Sequence, residues 1–409
     1  MKWAQGIDKL SIFIYLAISL FAVANIYSVD EALGKKQFVF FCISIVVGII
    51  IFLTRAKFFE NFSSILYILG VLLLVGLFPF GTEILGQRNW YKVGSFTMQP
   101  VEFAKIGTAL MLANYVSGPN FNLKIRKSLW TSFAIIGIPA VAVLAIPDIG
   151  SLLVFTAFFI ALFREGLSGW YFGVAGIFAG VFLFALAIDP IYVILFIAVI
   201  AALLIFINFY RIRWHVLNVA GALGSFLLLC GLAYGSPKIL EKMPKHQRER
   251  IEVLYKGEKA FRDTSGYNLL YSKTAIGSGG FFGKGYKEGS VTQGKFVPEQ
   301  ETDYIFCTVG EEWGFFGASM LIIFYSVFIA RIYYLSEKQK SAFNRVFGYC
   351  FASILLMHFA INLGMVMGLF PTVGIPLPFF SYGGSSFLAF SLMTFIFFKL
   401  NYADRNSLV

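Results

Sequence analysis

The sequence predicts an all-α polytopic membrane protein, with ten to twelve transmembrane helices and one large external loop. Three observations carry that expectation. Of 409 residues, 58% are hydrophobic and 13% charged, with a mean hydropathy of +0.77, whereas about a quarter of a soluble chain is charged. The apolar residues fall in runs of about 17 to 25, long enough to cross roughly 30 Å of hydrocarbon. The polar residues are concentrated instead of spread: residues 236–304 hold twelve of the 33 basic and nine of the 22 acidic side chains.

In order, the runs lie at 9–27, 37–54, 62–80, 101–117, 130–147, 149–163, 168–187, 190–208, 214–235, 305–332, 345–369 and 379–400. The first follows Lys2, Asp8 and Lys9 and ends without a small-residue cleavage site, so it reads as an uncleaved anchor. Between 149 and 208 the only breaks are Arg164–Glu165 and Asp189–Pro190. Short loops and tails on one face carry sixteen Lys and Arg, among them Lys2, Lys9, Lys124, Arg164, Arg211, Arg213, Arg345 and Arg405. The other face has only Lys35, Lys36, Arg88 and Lys92. The positive-inside rule then puts both termini in the cytoplasm and the 236–304 loop outside. The same asymmetry accounts for the net charge of +11 through anionic headgroups, without nucleic acid.

Other classes are disfavoured. Cys42, Cys230, Cys307 and Cys350 lie in apolar runs with no CxxC spacing, and His215, His246 and His358 are scattered, so neither a disulfide framework nor a zinc site is indicated. Any metal would be held by oxygen. No 20–50-residue repeat or inverted pair of halves is visible, which disfavours a repeat-built transporter.

A loop of about 70 residues is uncommon unless functional, so the search for chemistry starts there. It ends in Pro298-Glu299-Gln300-Glu301-Thr302-Asp303-Tyr304, with Asp303 at the membrane boundary. Thr302 and Asp303 fit an N-cap and a first-turn acid; equally, Asp303 fits a general base or a cation-holding carboxylate. The glycine-rich Ile276–Tyr286 stretch lacks the P-loop spacing. Its Lys284 and backbone N–H groups fit a phosphate, and its glycines fit tight turns. Arg250 fits either a diphosphate contact or the solvated face of an amphipathic helix. Glu102 and Lys105, at i and i+3 in a membrane run that opens with Gln99-Pro100, read as a functional pair or a structural ion pair. Asp148 caps the next helix and Gly150 allows close packing. His358 and Asn362 are one turn apart. Pro371–Pro378 is too rigid for a spanning helix and reads as external or re-entrant. Ser381–Ser386 opens the last helix, as an anion site or a cap.

At this point the residues resemble a known family. Asn362-Leu363-Gly364-Met365, Gly368, Pro371, Gly374-Ile375-Pro376-Leu377-Pro378 and Ser381-Tyr382-Gly383-Gly384-Ser385 look like the C-terminal signature of the SEDS proteins (shape, elongation, division and sporulation). Trp90 through Lys105, Pro147-Asp148 with Gly150, and Gly277 through Glu312 extend the likeness over nearly the whole chain. Gly277-Ser278-Gly279-Gly280 and Gly283-Lys284-Gly285 are more similar to the rod-shape branch than to the division branch.

The resemblance implies a single membrane domain over 1–409 containing the 236–304 loop. It implies a peptidoglycan glycosyltransferase of the bacterial cytoplasmic membrane, polymerising lipid II at the outer face for elongation and shape. Undecaprenyl diphosphate would be released, and a class B penicillin-binding protein transpeptidase is the implied partner. The family's essential external aspartate matches Asp303, its sensitive Glu and Lys match Glu102 and Lys105, and its loop arginine matches Arg250. Lys284 and Ser385 join them as expected diphosphate or substrate contacts. A divalent cation, Mg²⁺ or Mn²⁺ on Asp303, is the metal that oxygen ligands and a phosphate substrate would select. Three departures stand out: an added helical pair at 168–213, Ile146 and Tyr271 where glutamines are usual, and Gln300-Glu301 where a basic pair is common. A lipid II flippase using Glu102 and Lys105, or a non-catalytic scaffold for a transpeptidase, are the rival functions.

Overall fold

The computed structural model describes residues 8–84, 87–94, 96–207 and 216–406; Lys2, Arg211, Arg213, His215 and the first residues of the 214–235 run lie outside the described residues. Two compact units emerge, Met1–Leu167 with Asn268–Val409, and Ser168–Tyr267.

The first unit begins with helices α1 (Lys9–Val29), α2 (Glu31–Leu53), α3 (Ala56–Asn61), α4 (Ser63–Val75) and α5 (Leu77–Phe80). Three short antiparallel strands follow in the order β1 (Thr82–Ile84), β2 (Gln87–Val93) and β3 (Phe96–Met98). Then come α6 (Pro100–Val116), α7 (Arg126–Ala145), α8 (Ile149–Phe155) and α9 (Ala157–Arg164). The second unit holds α10 (Trp170–Ala187), α11 (Pro190–Ile207), α12 (Val216–Lys242) and α13 (Lys245–Lys256), with a small core of Ala185, Val193 and Ala233. The chain returns through α14 (Tyr267–Ser278), α15 (Ser290–Gln293), α16 (Ile305–Glu312), α17 (Gly314–Glu337), α18 (Ala342–Met367) and α19 (Gly384–Asn406).

Ten helices among the described residues are long and apolar enough to cross a membrane, which bears out the helical polytopic fold. The other two expected runs form shorter helices: α6 has 17 residues, and Ile149–Arg164 is broken at Thr156. The break at Asp189–Pro190 falls where expected, and the Asp189 carboxylate accepts from the Ile191 N–H at 3.0 Å. Among the ten spans the most enclosed is α18, packed against α6, α9, α17 and α19. On one face Arg345 pairs with Glu165 at 2.9 Å and Arg331 with Asp8 at 2.6 Å, while Arg164 pairs with Glu337. At the turn between α1 and α2, Asp30 caps α2; the Leu33 N–H, with the Ala32 N–H and Lys295, holds its carboxyl below the usual range against the opposing effect of burial.

Two expectations are corrected. The 236–304 stretch is largely helical: α12 runs on to Lys242, and α13 follows with i,i+4 pairs Lys245–Glu249, Arg248–Glu252 and Glu252–Lys256 on its surface. Its polarity up to Ser278 lies largely on solvated helix faces, while residues 279–289 and 294–304 are non-helical. The run at 305–332 is not one helix. It breaks at Gly314, whose φ of +66° disfavours other residues, because the glycine-rich segment inserts there. Lys284 and Gly285 donate their N–H groups to the Glu311 and Glu312 carbonyls at 3.0 and 3.1 Å, and Phe315 and Phe316 donate to Gly280 and Phe281 at 2.9 and 3.0 Å.

That docking explains Gly279 and Gly283 as close-approach residues and commits the Lys284 and Gly285 N–H groups to the protein. Gly283 has φ +84°, and a Cβ there would lie 2.1 Å from the Glu312 carbonyl oxygen. Gly283→Ala is therefore expected to destabilise the first unit by about 2 kcal/mol or more, read as a lowered thermal unfolding midpoint in detergent; an unchanged midpoint would refute the close-packing argument.

Candidate active site

The site is built around backbone that is neither helix nor strand. After α18 ends at Gly368, in the left-handed region at φ +79°, residues 369–383 run without regular structure into α19, and from Ile375 onward most are buried. Buried carbonyls and N–H groups need partners, and side chains supply them. Asn362 Nδ2 donates to the Ile375 carbonyl at 2.7 Å. His358 Nδ1 lies 3.0 Å from the Pro376 carbonyl. Ser381 Oγ accepts from the Leu377 N–H at 2.8 Å, and the Tyr325 hydroxyl donates to the Pro378 carbonyl. Gly150 is needed beside this segment, since a Cβ there would sit 2.5 Å from the Val373 oxygen. Asp148 caps α8 on the Ser151 N–H, as expected.

The stretch carrying Asp303 is clamped to the same segment. Asn362 Nδ2 also donates to the Asp303 carbonyl at 2.8 Å. Ser381 Oγ donates to the Thr302 carbonyl at 2.6 Å, the Tyr382 N–H donates to the Glu301 carbonyl at 2.8 Å, and the Tyr304 and Thr372 hydroxyls meet at 3.0 Å. Asp303 is half-buried, and its Oδ2 lies 3.2 Å from where a Cβ on Gly374 would be. The capping alternative is corrected here. Helix α16 starts two residues later than that reading needs; its N-cap is Tyr304, with no side-chain cap, and the Thr302 hydroxyl turns back to the Glu299 carbonyl. Glu299 sits at φ +56°, which bends the chain before Asp303.

Deeper in the bundle, Glu102 and Lys105 form a buried ion pair at 2.9 Å, 1% and 0% exposed. Lys105 Nζ also meets His358 Nε2 at 2.8 Å and lies 5.4 Å from the centre of the Phe390 ring. An ammonium only donates, so Nε2 must accept, which leaves the proton on Nδ1 to reach Pro376. The second carboxylate oxygen of Glu102 is buried with no hydrogen-bond partner. Ser385 is neither a cap for its own helix nor exposed: its Oγ accepts from the Gln99 N–H at 3.3 Å, joining α19 to the start of α6. Hydrogen bonds therefore run continuously from Glu102 through Lys105 and His358 to the 369–383 segment, and through Asn362 to Asp303.

Two expected residues are not part of this chain of hydrogen bonds. Arg250 is on α13 in the second unit. Lys284 is paired with Glu311 at 2.7 Å and Ser290 at 2.8 Å, so a phosphate would have to share it. Glu311 also accepts from the Val291 and Thr292 N–H groups, and its neighbour Glu312 from Ser28 and Gln293. These two carboxylates escaped sequence reasoning, although a Glu pair within an apolar run was the available signal. His358 and Asn362 were visible as a polar i,i+4 pair, but nothing local says what they face. Among the described residues no group of three or more His, Cys, Asp or Glu side chains is placed to hold a metal. A cation on Asp303 would take its other ligands from water and phosphate, which is the usual mode of Mg²⁺.

Fold and site together define a class: a multi-pass helical membrane protein whose half-buried carboxylate is clamped to a buried non-helical segment that is hydrogen-bonded in turn to a buried ion pair. The chain belongs to the FtsW, RodA and SpoVE family of cell cycle proteins, whose profile matches residues 4–198 and 189–406. It is 29% identical over 386 residues to the peptidoglycan glycosyltransferase MrdB of Escherichia coli K12, covering 93% of this chain and 90% of that one. It is 26% identical to the peptidoglycan glycosyltransferase RodA of Treponema pallidum, covering 98% and 99%. In fold it is similar to a chain of a complex that coordinates peptidoglycan polymerization and crosslinking, with TM-score 0.71, 24% identity and 98% coverage of both. It is likewise similar to the rod shape determining protein RodA of Thermus thermophilus, with TM-score 0.64, 22% identity and 99% coverage of both.

The buried pair makes a stability prediction. Glu102→Leu strands the Lys105 charge and should cost about 3–5 kcal/mol, whereas Glu102→Leu with Lys105→Met removes both charges and should cost less. Thermal unfolding in detergent checks the order; a double variant less stable than Glu102→Leu alone would contradict it.

Proposed function

We propose that this protein polymerises lipid II into glycan strands at the outer face of the bacterial cytoplasmic membrane, with Asp303 as the base. It is a peptidoglycan glycosyltransferase by family and by the names of relatives that match it over nearly its whole length. The observation that carries the site assignment is the double anchoring of Asp303. Asn362 fixes its main chain and Gly374 lies against its carboxylate, while the N-cap position of α16 is Tyr304.

In the reaction, Asp303 takes the proton of the acceptor's GlcNAc 4-hydroxyl as that oxygen bonds to C1 of the donor's MurNAc. The bond from C1 to the diphosphate oxygen breaks on the opposite side, so the anomeric centre inverts and undecaprenyl diphosphate leaves. Diphosphate departs as a stable anion, so a single carboxylate suffices, unlike the pair that hydrolysis of an ordinary glycoside needs. Lys105 stabilises the developing charge from below, and Arg250, Lys284 and Ser385 are the further donors proposed for the diphosphate. A divalent cation bound at Asp303 would supply charge neutralisation there. The partner is a class B penicillin-binding protein transpeptidase, and the role is in elongation. The 168–213 stretch is proposed as the helical pair added to the family's membrane domain.

Asp303→Asn with the cognate partner present should lower lipid II polymerisation at least about 100-fold while leaving the unfolding midpoint and partner binding unchanged. Equal polymer from both proteins would reject the assignment. The flippase reading requires lipid II translocation that survives Asp303→Asn, and the scaffold reading requires a silent substitution. For topology, in a background without the four native cysteines, an impermeant thiol reagent applied to whole spheroplasts should label Lys259→Cys and not Lys124→Cys; the reverse would invert the chain.

A further inference from the structure

We propose that His358 is a positioning residue for Lys105, holding the ammonium through Nε2 while Nδ1–H anchors the ring to the 369–383 segment, against which the Asp303 stretch is clamped. The inference rests on the reading of Asp303 and Lys105 given above and deepens it. Neither side chain needs His358 to fold its own helix: Lys105 sits on α6 and His358 on α18. Yet the imidazole is 2% exposed and occupied at both nitrogens, by Lys105 Nζ at 2.8 Å and the Pro376 carbonyl at 3.0 Å. Phe390 of α19 packs edge-on against the ring, 4.8 Å between centroids, and closes its remaining side.

An ammonium has three protons to donate. Glu102 Oε1 takes one at 2.9 Å and His358 Nε2 a second, so the third direction of Lys105 is set by two fixed acceptors and not by its flexible stem. The same ring fixes the Pro376 carbonyl, next to the Ile375 carbonyl that Asn362 holds together with Asp303. His358 and Asn362, one turn apart, thus place successive carbonyls of one segment. The relative position of the cation that would meet the leaving group and the carboxylate that would meet the nucleophile passes through this ring. An error of about 1 Å in such an arrangement can cost roughly 100-fold in rate.

The two ring nitrogens can be mimicked separately. His358→Gln puts an amide oxygen near the Nε2 position and keeps an acceptor for Lys105. His358→Asn puts an amide nitrogen near Nδ1, keeping the Pro376 contact and losing the acceptor. The full-length protein with its cognate partner is assayed for lipid II polymerisation, with kcat, KM and unfolding midpoint measured for each variant. The expected result is His358→Gln within about threefold of wild type, and His358→Asn lowered in kcat by about tenfold or more with KM within about twofold. In a Lys105→Met background the difference between the two should shrink below about twofold, because the group being positioned is gone.

His358→Asn equal to or faster than His358→Gln overturns the proposal, as does a gap that persists in the Lys105→Met background. A His358→Gln protein that fails to fold, or folds and turns over no faster than Lys105→Met, overturns it too. If only His358→Asn fails to fold, His358→Gln against wild type still decides, on the same threefold criterion. Failure of the underlying reading shows elsewhere: Asp303→Asn that still polymerises rejects the base, and Lys105→Met at the wild-type rate rejects the cation, whichever way the His358 pair falls.

Discussion

Everything at the candidate site depends on one constraint: non-helical backbone enclosed in a helix bundle must find hydrogen-bond partners inside the protein. Residues 369–383 meet it with side chains from three helices: His358 and Asn362 on α18, Tyr325 on α17, and Gln37 on α2, which donates to the Ser381 carbonyl at 3.4 Å. Because Asn362 serves this segment and Asp303 with one amide group, the constraint that keeps the segment buried also fixes the candidate base. Structural satisfaction and chemical placement are the same set of bonds.

A second consequence concerns charge. The Glu102–Lys105 pair is almost fully removed from water, and burying two charges is costly unless further bonds compensate. His358 supplies one such bond and Phe390 a π-face. The unpartnered Glu102 oxygen shows that compensation is incomplete. An arrangement held at that expense is better explained by chemistry than by stability, since apolar residues would stabilise the bundle more cheaply.

The glycine-rich segment shows how local sequence misleads about function. Gly279, Gly283 and Lys284 lie in a pattern that suits phosphate binding, but their neighbours are the carbonyls of Gly310 and Glu312 and the carboxylate of Glu311. The segment is a lock between α14 and the α16–α17 break, and that break is why an apolar run at 305–332 does not form one helix. Thr302 likewise satisfies capping statistics and instead turns back toward Glu299. In the first case a long-range backbone contact, and in the second a bond to a carbonyl three residues back, replaces the local preference, which for a cap is worth about 1 kcal/mol.

What the sequence determined by itself follows from short-range physics. Hydrocarbon thickness and run length placed the membrane helices, Asp–Pro and Arg–Glu breaks separated them, and Asp148 and Gly150 were recognisable as a cap and a close-packing position. Asp303, Glu102 and Lys105 stood out because ionisable groups at or below a membrane boundary are rare. Tertiary structure alone decided which of them share a network. Lys105 and His358 are 253 residues apart in sequence, and Asp303 and Asn362 are 59 apart. Helical periodicity specifies which residues share a face, not which face meets another helix, so the bonds that join these pairs exist only once α6, α18 and the 369–383 segment have packed together.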